Sequence, residues 1–199
     1  LAHLIDDIGT GPRGLVRLGT GDWNDIIVNE AFDPNYARTQ GESVFNSQMA
    51  LWVVPRAAAL IEERDPALAA RARTWAEGLR GPVNDAWAGQ WYRRAWVGPN
   101  TPVGEDQILL EGQIWALIDE TPDEAQRATL VNSVFERLDE HSPNGALRVE
   151  NQQTWHVLTA LLTWGYSQHE PTRAWEAMGR HSMTATARTH PAQWYGIWS

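Results

Sequence analysis

Cysteine is absent from this chain of 199 residues. That excludes disulfides, thiol nucleophiles and Cys-ligated zinc, and it leaves the compartment open. No apolar run reaches about 18 residues, so no membrane-spanning helix is expected. Basic residues are few: 16 Lys and Arg stand against 25 Asp and Glu, a net charge of −9. No basic stripe is present, so neither nucleic acid nor an anionic membrane is expected as a partner. The first residues, Leu1 to Asp7, lack the charged start and apolar stretch of a signal peptide. A cytoplasmic location is therefore favoured, and the missing initial Met suggests a processed or trimmed start. The six histidines show no metal-ligand spacing, so no metal is expected. No Ser sits in a G-x-S-x-G elbow, which removes support for a hydrolase triad. Gly9-Thr10-Gly11-Pro12-Arg13-Gly14 fits G-x-G-x-x-G only formally. No strand precedes it, no helix follows directly, and Pro12 removes an N–H that a phosphate would need.

Phenylalanine is also scarce, with 3 Phe against 12 Trp. Core filling alone rarely selects Trp, because a buried indole N–H needs a partner. A carbohydrate cleft uses both the flat face and the N–H. The stretch Gly21-Asp22-Trp23-Asn24-Asp25 has the same character. Its indole offers a face to a pyranose ring, its carboxylates and amide suit hydroxyls, and a carboxylic acid can protonate a glycosidic oxygen. The bland alternative is a loop of turn-forming residues.

The remaining chain reads as helical hairpins. Ser43 to Glu63 carries Val44, Leu51, Val54, Ala58 and Ile61 on one face. Pro55 should kink this helix. Asp65-Pro66 starts a second, which runs towards Gly81-Pro82. A short helix covers Gln113 to Asp119. Thr121-Pro122-Asp123-Glu124 reads as a capping box that opens Asp123 to Glu140. Gln153 to Gln168 is amphipathic, and Glu170-Pro171 starts a last helix that runs to about Thr189. Helix starts at Pro66, Pro122 and Pro171 recur at intervals of 56 and 49 residues. Long connections alternate with these short turns and should all fall at one end, where a site would be built. No comparable β pattern is visible, although short strands near Trp91 to Val97 are possible. Gln90-Trp91-Tyr92 recurs as Gln193-Trp194-Tyr195, 103 residues later. The repeat places Trp91 and Trp194 at the long-loop end.

Other candidates have local readings beside the functional one. Glu42-Ser43 suits a helix start, with Ser43 as N-cap. Arg93-Arg94, beside Trp91 and Tyr92, suits a solvated edge, or else sugar hydroxyls or an anion. Glu150-Asn151 precedes a helix, where acidic residues suit the dipole.

In order along the chain, these pieces resemble the C-terminal part of the catalytic barrel in the cellobiose phosphorylase family. Gly21-Asp22-Trp23-Asn24-Asp25 is similar to that family's Asp-Trp-Asn-Asp block, and Gly41-Glu42-Ser43-Val44 to its Gly-Glu-Ser-Val helix start. Trp91-Tyr92-Arg93-Arg94-Ala95 resembles its Trp-Tyr-x-Arg-Ala segment. Gln113-Ile114-Trp115-Ala116 resembles its Gln-Ser-Trp-Ala helix, and Glu150-Asn151 part of its Lys-Glu-Asn-Gly-Gly segment. The departures are Val149 for the family's Lys, Gln152-Gln153 for Gly-Gly, and Val157 where a phosphate-contacting His would fall, with His156 one position off. The family's later Thr-Gly-Ser phosphate loop is not found.

The resemblance implies an all-α fold in which helical hairpins form about half of an (α/α)6 toroid, with residues 1–199 as a partial catalytic domain. It implies a β-glucosidic oligosaccharide or β-glucan substrate, cleavage with inversion, and inorganic phosphate as co-substrate with no cofactor. Asp25 would be the general acid, with its pKa raised by burial against Trp23 and by repulsion from Asp22. Trp23 would line the subsite of the non-reducing sugar, and Glu150 would bind the acceptor sugar. Asp22, Asn24, Glu42, Trp91, Tyr92, Arg94 and Trp194 complete the expected substrate-binding set. The alternatives are an inverting hydrolase, with Glu150, Glu42 or Glu111 as its base, and a non-catalytic Trp-rich sugar-binding or interaction module. Half a toroid leaves inner helices uncovered. A second copy or an upstream half is therefore expected against Leu158, Leu161 and Leu162.

Overall fold

The computed structural model describes residues 1–24, 26–150, 153–189, 191 and 197–198. The chain divides into two units, Leu1–Ala88 with Tyr92–Glu105, and Gly89–Trp91 with Asp106–Ser199. The chain is mostly helical, as expected, and each unit contains a helical hairpin.

In the first unit, helix α1 (Pro34–Gln40) precedes the long helix α2 (Val44–Ile61), followed by α3 (Pro66–Glu77) and the short α4 (Arg80–Asp85). Local chemistry sets these boundaries. The Ser43 hydroxyl accepts from the Asn46 N–H and Asp65 Oδ1 accepts from the Leu68 N–H; both are N-caps. Pro66 occupies the first turn of α3, where its missing N–H costs nothing. Helix α2 continues through Pro55. The Gly81-Pro82 pair does not close α3. That helix stops at Gly78, and Pro82 falls in the first turn of α4, where proline is tolerated. At 18 residues and a mean hydropathy of 1.2, α2 has the length and composition of a membrane span. Here it is a core helix, burying Val44, Phe45, Leu51, Val54 and Ala58 and pairing with α3.

A small antiparallel sheet, largely unforeseen, organises the same unit. Strands β1 (Val16–Arg17), β2 (Glu42–Ser43), β3 (Ala95–Gly98) and β4 (Thr101–Val103) lie in that order. Val16 faces Ser43, Glu42 faces Trp96, and Ala95 faces Val103. Beside the sheet, Leu18, Ile27, Val28, Ala37, Ala95 and Val97 form a buried cluster. It anchors the long segment between β1 and α1.

In the second unit, α5 (Glu111–Asp119) packs on α7 (His156–His169), which pairs with α8 (Pro171–Arg180). Gly165 allows the close approach: a Cβ there would lie 2.9 Å from the Leu117 Cβ. Helix α6 (Glu124–Val134) is capped by Asp123, whose partner in the capping box is Gln126. The box therefore begins two residues after the expected Thr121, and Pro122 precedes the cap. Beyond α6 the chain continues as a π-helical turn, Phe135–Asp139. The last expected helix is two, α8 and α9 (Met183–Thr189), separated at His181 and Ser182. Strands β5 (Thr154–Trp155) and β6 (Ile197–Trp198) pair antiparallel. Leu158 and Leu162 are fully buried, and Leu161 is half-buried. The exposed inner face expected at these leucines is therefore filled from within the chain, because α5 and α8 cover α7.

Candidate functional site

The Gly21–Asn24 turn rests on a buried ion pair. Arg94 and the Asp22 side chain are both 0% exposed. Arg94 Nη1 donates to Asp22 Oδ2 at 2.7 Å, and Nη2 to Oδ1 at 2.6 Å. This is the two-pronged fit of a guanidinium to a carboxylate. The Ser43 hydroxyl donates to Asp22 Oδ2 at 2.6 Å, and the Asn24 N–H to Oδ1 at 2.9 Å. Burial pushes the Asp22 carboxyl up. The Arg94 charge and the hydrogen bonds from Arg94, Ser43 and Asn24 outweigh it and hold Asp22 below its ordinary pKa. Phe45 closes the other side of Arg94, its ring centre 4.9 Å from the guanidinium carbon.

Sequence order explains how these groups meet. Ser43 joins the sheet in β2 and caps α2, and Arg94 lies immediately before β3. The Val44 N–H donates to the Arg94 carbonyl, and the Arg94 N–H to the Val103 carbonyl. Both oxygens of Asp22 are thus engaged by protein groups, and its charge is compensated by Arg94. Asn24 Oδ1 accepts from the Ile26 N–H at 3.2 Å, a second Asx turn directly after the first. Trp23 and Asn24 are partly exposed. Asp25 lies outside the described residues, as does Trp194.

Glu42 forms a second brace. It is 1% exposed, and its Oε1 accepts the Arg13 and Leu15 N–H groups at 2.9 and 3.1 Å. A Cβ on Gly11 would sit 2.4 Å from the Glu42 Cγ, so only glycine admits this contact. Burial raises the Glu42 pKa, opposed by those N–H groups and by Arg13 and Arg17. Within the G-x-G-x-x-G stretch the Arg13 N–H thus serves a carboxylate of the chain itself, and the Gly9, Gly11 and Gly14 N–H groups donate to backbone carbonyls. Tyr92 is also fully buried, edge-on to Trp87 with ring centres 5.0 Å apart. Arg93 pairs with Glu105 and bonds the Trp87 carbonyl. A cavity of about 380 Å3 lies against residues 19–21, but Val16, Leu18, Met49, Val53 and Val54 make its wall apolar.

In the second unit, Trp91 and Glu150 are brought together by Arg137. The Arg137 guanidinium carbon lies 4.8 Å from the Trp91 ring centre, and Nη1 donates to Glu150 Oε1 at 2.8 Å. Arg137 carries no sequence signal, being one arginine on the π-helical turn of an otherwise ordinary helix. Glu111 is 0% exposed and faces Arg148, with Nη1 3.3 Å from Oε1. Val149, in the place of the expected Lys, is buried and bridges to Leu109. Val157 is half-exposed, whereas His156 is partly buried; burial and the neighbouring His181 lower its pKa. Asp139 is a further buried carboxylate, raised by burial against the pull of Arg180. Among the described residues no metal-binding group of His, Asp and Glu is formed.

The sequence of this segment also matches known proteins. Residues 2–152 match the family described as the glycosyl hydrolase 94 superfamily, catalytic domain. A stretch of 116 residues, 55% of the chain, is 30% identical to the 3-O-beta-D-glucopyranosyl-beta-D-glucuronide phosphorylase of Paenibacillus borealis. That stretch spans 14% of the relative's length.

Proposed function

The chain belongs to the glycosyl hydrolase 94 superfamily, and from that premise we propose that it is part of an inverting phosphorylase acting on a β-glucosyl disaccharide. Residues 1–199 form part of the catalytic domain, and an upstream half or a second copy completes the site. Asp25, protonated, gives its proton to the glycosidic oxygen. A phosphate oxygen bonds to C1 from the opposite face as the C1–O bond breaks. The products are a sugar 1-phosphate of inverted configuration and the free acceptor sugar. Trp23 and Asn24 line the donor sugar, and Glu150 faces the acceptor. Asp22 and Arg94 act as positioning residues beneath the turn, and Glu42 as a brace behind it. Inorganic phosphate is the co-substrate, and no cofactor takes part.

The buried Asp22–Arg94–Ser43 brace carries this reading. It holds the turn next to Asp25 within the segment that matches the family. A loop of mere turn residues has no need of a buried ion pair, which is costly to desolvate. The state of the other carboxylates favours phosphate over water as nucleophile. An inverting hydrolase needs a second carboxylate as base. Of the three considered, Glu42 and Glu111 are buried and engaged, and Glu150 is ion-paired with Arg137, so none of them stands free as a base. The relative's name adds an acceptor class, since a glucuronide is an anionic sugar.

The test is incubation of the full-length protein with β-linked glucosyl-glucose and glucosyl-glucuronate, with and without phosphate. Sugar 1-phosphate formed only with phosphate is the expected result, and Asp25→Asn should reduce it by several orders of magnitude. Free glucose at full rate without phosphate would identify a hydrolase. Binding without turnover would identify the sugar-binding module.

A further inference from the structure

Arg137 joins two expected site residues that lie far apart in sequence, Trp91 and Glu150. It sits in the π-helical turn Phe135–Asp139. Such turns shift side chains off the α-helical stripe and recur at functional sites. Trp91 is only 7% exposed, so its ring is a fixed wall behind the guanidinium. The side chains of Arg137 and Glu150 are 41% and 31% exposed, so the pair opens to solvent. Among the described residues, Arg137 hydrogen-bonds through Nη1 to Glu150, and most of its fork is unspent.

A chain of net charge −9 repels anions at long range. An anionic sugar would need local positive charge to bind it. A neutral sugar has no such need, because a carboxylate such as Glu150 already serves hydroxyls. A flat guanidinium backed by an indole presents its planar donor edge to a carboxylate. We propose that Arg137 makes the acceptor subsite selective for a uronic acid. The free edge of its fork takes the C6 carboxylate, while Glu150 accepts from a neighbouring hydroxyl. This rests on the proposed function only in taking the sugar at Glu150 as the acceptor.

The test runs the reaction in the synthetic direction with the full-length protein. Glucose 1-phosphate is the donor, glucuronate and glucose are offered as acceptors in separate reactions, and phosphate release is measured. The wild type should prefer glucuronate in kcat/KM. Arg137→Met should lower that preference by about tenfold or more, as loss of a charge-assisted contact implies, mainly through the acceptor KM. Arg137→Lys should keep part of it. Saturation-transfer NMR reads acceptor binding independently of turnover. Arg137-dependent binding of glucuronate without any turnover would refute the proposed function and uphold the subsite. Turnover with equal use of both acceptors, or a preference that survives Arg137→Met, would uphold the function and overturn the subsite. If the Met variant fails to fold, a wild type preferring glucose overturns the proposal, and one preferring glucuronate together with partial retention by Arg137→Lys supports it.

Discussion

Removing Arg94 should expose how much the site turn depends on one charge. In Arg94→Met the Asp22 carboxylate keeps its bonds from Ser43 and Asn24 but loses its cation. Breaking a buried pair from one side costs about 3–5 kcal/mol. The variant has an escape, because Asp22 can take up a proton. Protonating a carboxyl that titrates near ~3.9 costs about 1.4 kcal/mol for each pH unit above that value, or about 4 kcal/mol at pH 7. The two routes set a similar ceiling, so a loss of about 3–4 kcal/mol is expected at pH 7. The sign with pH then follows. In the wild type the Asp22 pKa is lowered. Its stabilisation is present above the unfolded value and lost as pH falls through the folded one. In Arg94→Met the folded pKa lies above the unfolded one, so the variant binds an extra proton when native. Its deficit should shrink by about 1.4 kcal/mol per pH unit from the folded pKa down to roughly pH 4, and by less while the working pH exceeds the folded pKa. Asp22→Asn strands Arg94 instead, and a guanidinium does not discharge, so that deficit should stay flat with pH. Urea unfolding followed by tryptophan fluorescence at pH 5 and pH 7 measures both variants. A loss below about 1 kcal/mol at pH 7, well under the range for a broken buried pair, would refute the reasoning. So would a pH-independent deficit for Arg94→Met.

Two further outcomes are expected. Glu42 has a raised pKa, so its native state holds its proton longer than the unfolded chain does. Stability should therefore fall as pH rises from the unfolded value to the folded one, and Glu42→Gln should flatten that limb in a series of melts. Glu120 ends α5 in the left-handed region at φ 60°, where a side chain costs about 1 kcal/mol. Glu120→Gly should be neutral or stabilising by up to about 1 kcal/mol in urea unfolding, because glycine's greater unfolded-state freedom offsets part of the relief.

The helix starts were legible wherever the signal was local. Asp65-Pro66 and Ser43 each carry their cap within three residues, so α3 and α2 begin where the sequence predicts. At Thr121 to Gln126 two caps compete. Gln126 decides for Asp123 by returning the hydrogen bond, which a search for Thr and Glu overlooks. The sheet was illegible because β1 and β2 are two residues long, too short to show alternation. The turn motif was visible as chemistry, but its support was not. Asp22 and Arg94 are 72 residues apart, and the same Arg reads equally well as a solvated edge. Arg137 had no signal, since its role depends on a π turn and on a tryptophan from a distant loop.

The Leu18 N–H donates to the Gly41 carbonyl, so the segment between them leaves the sheet and returns to the same place. Its two ends meet through neighbours in the sheet, and its interior is tied to groups far along the chain, Asp22 to Arg94 and the buried Ile27 and Val28 to the cluster with Ala95 and Val97. During folding, α2 and α3 can pair through contacts close in sequence. The excursion can close at its base once β1 meets β2. The ion pair must wait until β3 arrives, because long-range closures are the slowest to form. The Gly21–Asn24 turn is thus expected to be among the last elements to settle and among the first to open. In native-state hydrogen exchange, the Asn24 amide should exchange through a lower-energy opening than the amides of α2. A turn assembled in this order takes its final shape only after the scaffold around it is complete.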